Sequence, residues 1–281
     1  MNILKIKALL LSFALFWFSN AKAQTVQFHL LDCESETHIP YCTALNDSKN
    51  IFSVSDDHGA ISLSADVGDS IYISHVAYID TFFILSAINN TICLQPKIIE
   101  LDEVTITDTE KETYGVGNLR EKSGALYAIS YDTEYAIEYK FDISNKFLHE
   151  IRIPVRYRFD LDTSGLLLFT FHFSDNGNIG EMFGNPYYIK IDQDQKFLNY
   201  KLEQPIQIPF HEFFVVFRRI KPNEEHFVFP DRTISVAPFF NIIEPENQVA
   251  YRRRIGDSTW QVLDPETQVV PVIKLQFLVS E

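Results

Sequence analysis

Long apolar runs, cysteine and positive charge are all scarce in this sequence. Beyond its first two dozen residues nothing approaches the roughly 18 to 20 consecutive apolar residues of a membrane-spanning helix, so no transmembrane segment is expected there. Three cysteines in 281 residues are too few for a small scaffold held by disulfides. The chain carries 24 Lys+Arg against 38 Asp+Glu, a net charge of −14. A general nucleic-acid binder needs a basic footprint, and this balance excludes one. Amphipathic helical periodicity is also missing, apart from one or two turns over Ser144 to Glu150. What is abundant is apolar and aromatic material, 46 % and 14 % of the residues. That is enough to bury real cores, and it excludes a disordered chain.

The N-terminus reads as a secretory leader. Lys5 and Lys7 precede the apolar-biased run Ala8 to Phe18, and Ala21-Lys22-Ala23 supplies a small-x-small cleavage signal. Cleavage before Gln24 is expected; the alternative, a retained anchor, has too short an apolar run to span a bilayer. Loss of residues 1–23 removes Lys5, Lys7, Lys22 and no acid, so the mature charge is 21 minus 38, or −17. The exported product is expected in the periplasm or at the outer-membrane surface. Export permits disulfides. Cys33 and Cys42 flank a turn-like stretch and could be bridged, leaving Cys93 over; three buried thiols are the other reading.

From Val26 on, apolar segments are short, β-branched or aromatic, and bounded by Asp, Asn, Gly or Pro. Ile61-Ser62-Leu63-Ser64 and Ile71-Tyr72-Ile73-Ser74 alternate strictly, which turns their aliphatic residues toward a core. Turn signals at Asp56-Asp57-His58-Gly59 and Val67-Gly68-Asp69-Ser70 follow the spacing of a β-sandwich. After Glu100 the composition becomes acidic and polar as far as Glu112, and Gly115, Gly117 and Gly124 follow. This predicts a linker over 108–126 between a first domain, 24–107, and a second, 127–281. The alternative is a long ordered loop or an edge strand at Val104-Thr105-Ile106-Thr107. In the second part ten strand-like runs predict a two-sheet sandwich. Phe213 to Phe217, apolar on both faces, belongs at its centre, and Gly256-Asp257-Ser258 looks like a hairpin turn.

Four pieces of the first part carry a family resemblance: Ile39-Pro40, the Asp56-Asp57-His58-Gly59 turn, Ile73-Ser74-His75-Val76-Ala77-Tyr78, and Leu101-Asp102-Glu103-Val104-Thr105-Ile106-Thr107. On these, residues 24–107 resemble the carboxypeptidase-regulatory-like module of exported Bacteroidetes proteins. The resemblance implies a small seven-stranded transthyretin-like Greek-key sandwich with no zinc site and no catalytic residue. The sequence departs from the family at Ala77, where glycine is preferred, and around Leu30 to Cys33, which lack the usual glycine. The same module precedes the plug of TonB-dependent receptors, but no plug and no series of membrane strands follows here. Residues from about 127 to 264 resemble the jelly-roll-like domain that often follows the module, on Tyr135 to Tyr139, Leu168 to Phe173, Phe213 to Phe217, and Tyr251 with Trp260. That resemblance implies an accessory or binding role. The expected fold class is all-β, a small transthyretin-like sandwich followed by a larger jelly-roll-like β-sandwich.

Catalytic motifs fail in detail. His211-Glu212 opens like a zinc-protease helix, yet Val215 stands where the second histidine belongs. Gly115-Val116-Gly117 leads to Arg120 where a dinucleotide fingerprint needs glycine, and no nucleophile-elbow pattern occurs. Asp160 with Asp162, and Asp192 with Asp194, sit two apart and offer oxygens for a structural calcium ion, as do Asp175, Asn176 and Asn178; ordinary turn chemistry explains them too. No other cofactor is expected. Tyr187, Tyr188 and Trp260 offer aromatic faces to a sugar, with core packing as the alternative. Arg252 and Arg254, in a cluster with Arg253, Arg218 and Arg219, offer charge to an anionic partner, the alternative being a solvated strand face paired with acids. Together these predict an exported, non-catalytic envelope accessory protein that binds a glycan or protein through its second sandwich. The alternative is a structural interaction protein of an outer-membrane assembly, and a hydrolase with a hidden site ranks third.

Overall fold

The computed structural model describes residues 24–86, 91–97, 112–116, 126–140, 146–156, 165–191, 195–208, 211–228, 236–243, 249–263, 270–271 and 273–279. Seven strands come first: β1 (Thr25–Asp32), β2 (Thr43–Asn46), β3 (Ile51–Val54), β4 (Ala60–Ser64), β5 (Ser70–Ser74), β6 (Thr81–Ile84) and β7 (Thr91–Leu94). They form two sheets, one ordered β4-β1-β7 and the other β3-β2-β5-β6. The alternating segments Ile61 to Ser64 and Ile71 to Ser74 fall in opposite sheets. Their aliphatic side chains meet Phe28, Leu30 and Leu94 in one core, while the intervening serines and Tyr72 point the other way.

Cys33 is bridged to Cys93 and not to Cys42, which corrects the pairing drawn from spacing. The parallel ladder of β1 with β7 sets Leu31 opposite Cys93, and the Cys33 N–H donates to the Leu94 carbonyl, so the two cysteine Cα atoms stand 4.9 Å apart. Cys42 points into the core. Burial there pushes its thiol up to about 12, which leaves it a small hydrophobe with no thiolate character.

Fourteen further strands follow: β8 (Glu112–Val116), β9 (Leu126–Ile129), β10 (Thr133–Lys140), β11 (Lys146–Arg156), β12 (Leu166–Asp175), β13 (Asn178–Lys190), β14 (Phe197–Ile208), β15 (Glu212–Ile220), β16 (Glu225–Phe227), β17 (Val236–Ile243), β18 (Ala250–Arg254), β19 (Gln261–Val262), β20 (Val270–Pro271) and β21 (Lys274–Val279). A front sheet runs β13-β12-β15-β10-β18-β19. A back sheet runs β20-β17-β11-β21-β8, with β14 also on β11 and β9 on β17. Phe213, Val215 and Phe217 of β15 point inward and meet Ile151, Ile153, Leu275 and Phe277 of the back sheet. Their neighbours Phe214 and Val216 are buried on the outer face, so this strand is covered on both sides, as its unbroken apolar run requires.

Residues 112–116 lie inside the segment expected to be a linker, yet they pair as β8 with the last strand of the chain. β13 is longer than its composition suggests, because Pro186 sits on the outermost strand of its sheet, where a missing N–H breaks no ladder. Gly184, at φ +70°, takes up the bulge where the register with β12 shifts between Phe169 and Phe171. No helix among the described residues is long and apolar enough to cross a membrane.

Candidate functional site

The two sandwiches are joined by more than a tether. β15 of the second sandwich turns through Lys221 to Glu224 and continues as β16, which pairs antiparallel with β3 and becomes the outer strand of the first sandwich's sheet. The turn is anchored at Asn223, whose N–H donates to the Val54 carbonyl and whose side chain donates to Asp56. Glu225 then accepts from both the N–H and the hydroxyl of Ser64 on β4, so a three-residue strand touches both sheets of its host. Beside it, Leu45, Phe52 and Val54 pack on Ile220 and Ile255, with Tyr41, Tyr72, Tyr131, Leu166 and Tyr188 around them. The His226 ring stacks on Tyr131 at 4.3 Å.

A polar layer borders this apolar contact. Arg218, buried on β15, donates to the Thr43 hydroxyl of β2 at 2.6 Å and faces Glu134 of β10 at 3.9 Å. Glu134 also receives Arg253 of β18 at 2.7 Å, and the Arg253 guanidinium lies over the Trp260 ring at 4.6 Å. His75 bonds the Tyr188 hydroxyl at 3.2 Å, and Tyr188 leans on Tyr41. His172 donates to the Gly180 carbonyl from one ring nitrogen and shares a hydrogen bond with the Thr170 hydroxyl at the other, and burial holds the ring below the ordinary histidine range. The ion pairs lie within the front sheet of the second sandwich, and Arg218 with Thr43 and His75 with Tyr188 carry polar contact across the seam between the sandwiches.

Burial, followed by the charges of Arg218 and Lys97, pushes His75 down to about 4 from the ordinary 6.5. A folded value below the unfolded one means that the contribution is whole above about pH 6.5 and is lost as the pH falls through about 4. Urea unfolding at pH 7 and pH 4 should therefore differ between the native chain and His75→Gln. The native chain should lose on the order of 2 to 3 kcal/mol more on acidification, after allowance for the ring's partial exposure.

The residues singled out from the sequence are scattered by the fold. Tyr187 and Tyr188 point oppositely, as neighbours on a strand must. Tyr187 packs on Phe171 and Tyr200 inside the second sandwich, and Tyr188 lies in the seam. Trp260 rests on the outer cluster of Ala136, Phe214 and Val216 under Arg253, partly exposed. Arg252 is exposed and Arg254 half-buried. Arg218 and Arg219 do not join them in a solvated basic patch, for both are buried, on opposite faces of β15, with Arg219 lying over Tyr131. Asp160, Asp162, Asp192 and Asp194 lie outside the described residues, as do the leader 1–23 and the segment 101–107. Asp175 and Asn178 close a two-residue hairpin over Asn176 and Gly177, both at positive φ, so turn chemistry accounts for these residues. No group of three or more metal-ligating side chains occurs among the described residues. No family model, no curated protein and no solved structure matches the chain.

Proposed function

We propose that the chain is an exported, non-catalytic accessory protein of the cell envelope, and that it holds a protein partner rather than a sugar. One observation carries this reading. Of the exposed large apolar side chains among the described residues, the four most exposed lie on β6 or next to its ends: Phe82 and Ile84 share one face of the strand, Ile79 precedes it, and Val67 adjoins the Gly68 N–H that bonds the Leu85 carbonyl just after it. Contiguous apolar surface on a soluble protein marks an interaction site. The aromatic faces that a glycan would need are engaged elsewhere: Tyr187 is in a core, Tyr188 is in the seam, and Trp260 is covered by Arg253. The resemblance to an appended, non-catalytic module supports an accessory role, and the leader supports export.

Two measurements test it. Residues 24–281 should co-sediment with the source organism's envelope fraction, and pretreatment of that fraction with protease should abolish the association. The variant Phe82→Lys/Ile84→Lys should lose it with no change in fold. Melting curves against a glycan panel should stay flat, since a ligand at about 100 times its dissociation constant would add roughly 2.7 kcal/mol. A rise with one sugar class that vanishes in Trp260→Ala would overturn the reading in favour of a glycan site at Trp260 and Arg252. The same melts with calcium and with chelator test the two aspartate pairs.

A further inference from the structure

β6 is the last strand of its sheet, bonded to β5 on one side and to no other strand among the described residues on the other. Its ladder with β5 runs from Ser70↔Ile84 to Ile73↔Thr81 without a bulge. The Leu85 N–H donates inward to the Asp69 carbonyl. Because backbone groups alternate along a strand, the N–H and C=O of Phe82 and Ile84 face the open side. Natural edges are usually blunted by lysine, proline or a bulge, and Thr81 to Ser86 contains none of these. Phe82 and Ile84 share one face and are 63 % and 62 % exposed. That face is continuous with the seam, since Tyr72, opposite Phe82 on β5, already packs there.

Charge restricts what can cover such an edge. The strand is itself uncharged, but its two ends carry acids. Asp80 precedes it with its carboxylate bonded by the Tyr72 hydroxyl, and at the other end Asp69 stands beside Leu85, in one turn with Asp66, with Lys49 reaching both. A second copy paired antiparallel across the edge would bring Asp80 of one chain toward Asp69 of the other, in molecules that are each strongly acidic. An extended segment with basic ends meets no such opposition.

We infer that β6 receives a strand from a partner: an extended segment with apolar residues at alternate positions and lysine or arginine at both ends. This rests on the protein-partner reading above and gives it a mode, strand addition. Main-chain bonds to Phe82 and Ile84 supply register, the apolar side chains lie beside Phe82 and Ile84, and the basic ends meet Asp80 and Asp66.

The probe is a short synthetic peptide of alternating threonine and valine between paired lysines, with a glutamate-flanked twin as its control. Binding is read by titration and by amide exchange. The lysine-flanked peptide should slow exchange at Phe82 and Ile84 and bind at least tenfold more tightly than its twin at low salt. Ile84→Pro removes an outward N–H without touching the ladder to β5, so it should abolish binding with little change in melting temperature. Ile84→Thr keeps the N–H and should only weaken binding. Equal binding by Ile84→Pro, or unchanged exchange at both amides, would overturn the inference. So would concentration-dependent dimers that Ile84→Pro dissolves, because a second copy would then hold the edge. If no peptide binds while Phe82→Lys/Ile84→Lys still abolishes envelope association, strand addition falls and the partner reading stands.

Discussion

Replacing Glu134 by alanine is expected to cost about 3 to 5 kcal/mol of stability, because it leaves a buried guanidinium without its carboxylate. The side chains of Arg218 and Glu134 are 8 % and 16 % exposed, so water is a poor substitute for the missing partner. Burial opposes the ionisation of Glu134, but Arg253 and Arg218 outweigh it and hold the carboxyl below the usual glutamate range. Stability from this source is whole above the ordinary value of about 4.3 and is lost as the pH falls through the lower folded value. Arg218→Met should cost less, because Glu134 keeps Arg253 at 2.7 Å. Urea unfolding should show a lower midpoint for Glu134→Ala, and Glu134→Leu combined with Arg218→Leu should recover most of the loss. A cost below about 1 kcal/mol would show that the network is solvated and contributes little.

Removing the Cys33–Cys93 bridge should have an effect of similar size. The bridge closes a loop of 60 residues, and the loop-entropy relation gives about 4 kcal/mol for that length. Cys33→Ser/Cys93→Ser should unfold at lower urea, and a reductant should shift the native chain by the same amount while leaving the double variant unmoved. Cys42→Ser supplies the control, since its buried thiol has no partner cysteine and reductant should act on that variant as on the native chain. If reductant proves silent on the native chain, the bridge adds nothing to stability.

Much of the β architecture could be read from local pattern. Ile61, Leu63, Ile71 and Ile73 showed their period and became core, and the run from Phe213 announced a strand covered on both faces. The pairing of cysteines could not be read this way. Cys93 reaches Cys33 only because β7 lies parallel to β1, and sequence spacing carries no trace of that neighbour. β16 was invisible for a related reason: three residues give no period, and its partner β3 lies far back in the chain. The burial of two seam residues is legible in the strand that carries them. Arg218 and Arg219 continue the same strand as Phe213 to Phe217, so whatever covers that strand on both faces covers them too. Their charge argued for solvent, whereas the strand's position argued for burial, and position prevailed because Glu134, Thr43 and Tyr131 supply partners. Tyr188 likewise pointed out of its own sandwich, as alternation required, but into a neighbour that only the fold reveals.

The insertion of β16 beside β3 also sets an order of events. A chain made from its N-terminus completes all seven strands of the first sandwich long before Glu225 exists. Until then β3 is an outer strand with an unpaired side, and the apolar face of Leu45, Phe52 and Val54 lacks Ile220 and Ile255. Nascent sheets in that condition are the ones that aggregate or recruit help. A fragment of residues 24–107 would lack β16, Ile220 and Ile255, so the outer side of β3 and this apolar face are closed only by residues more than a hundred positions further along the chain.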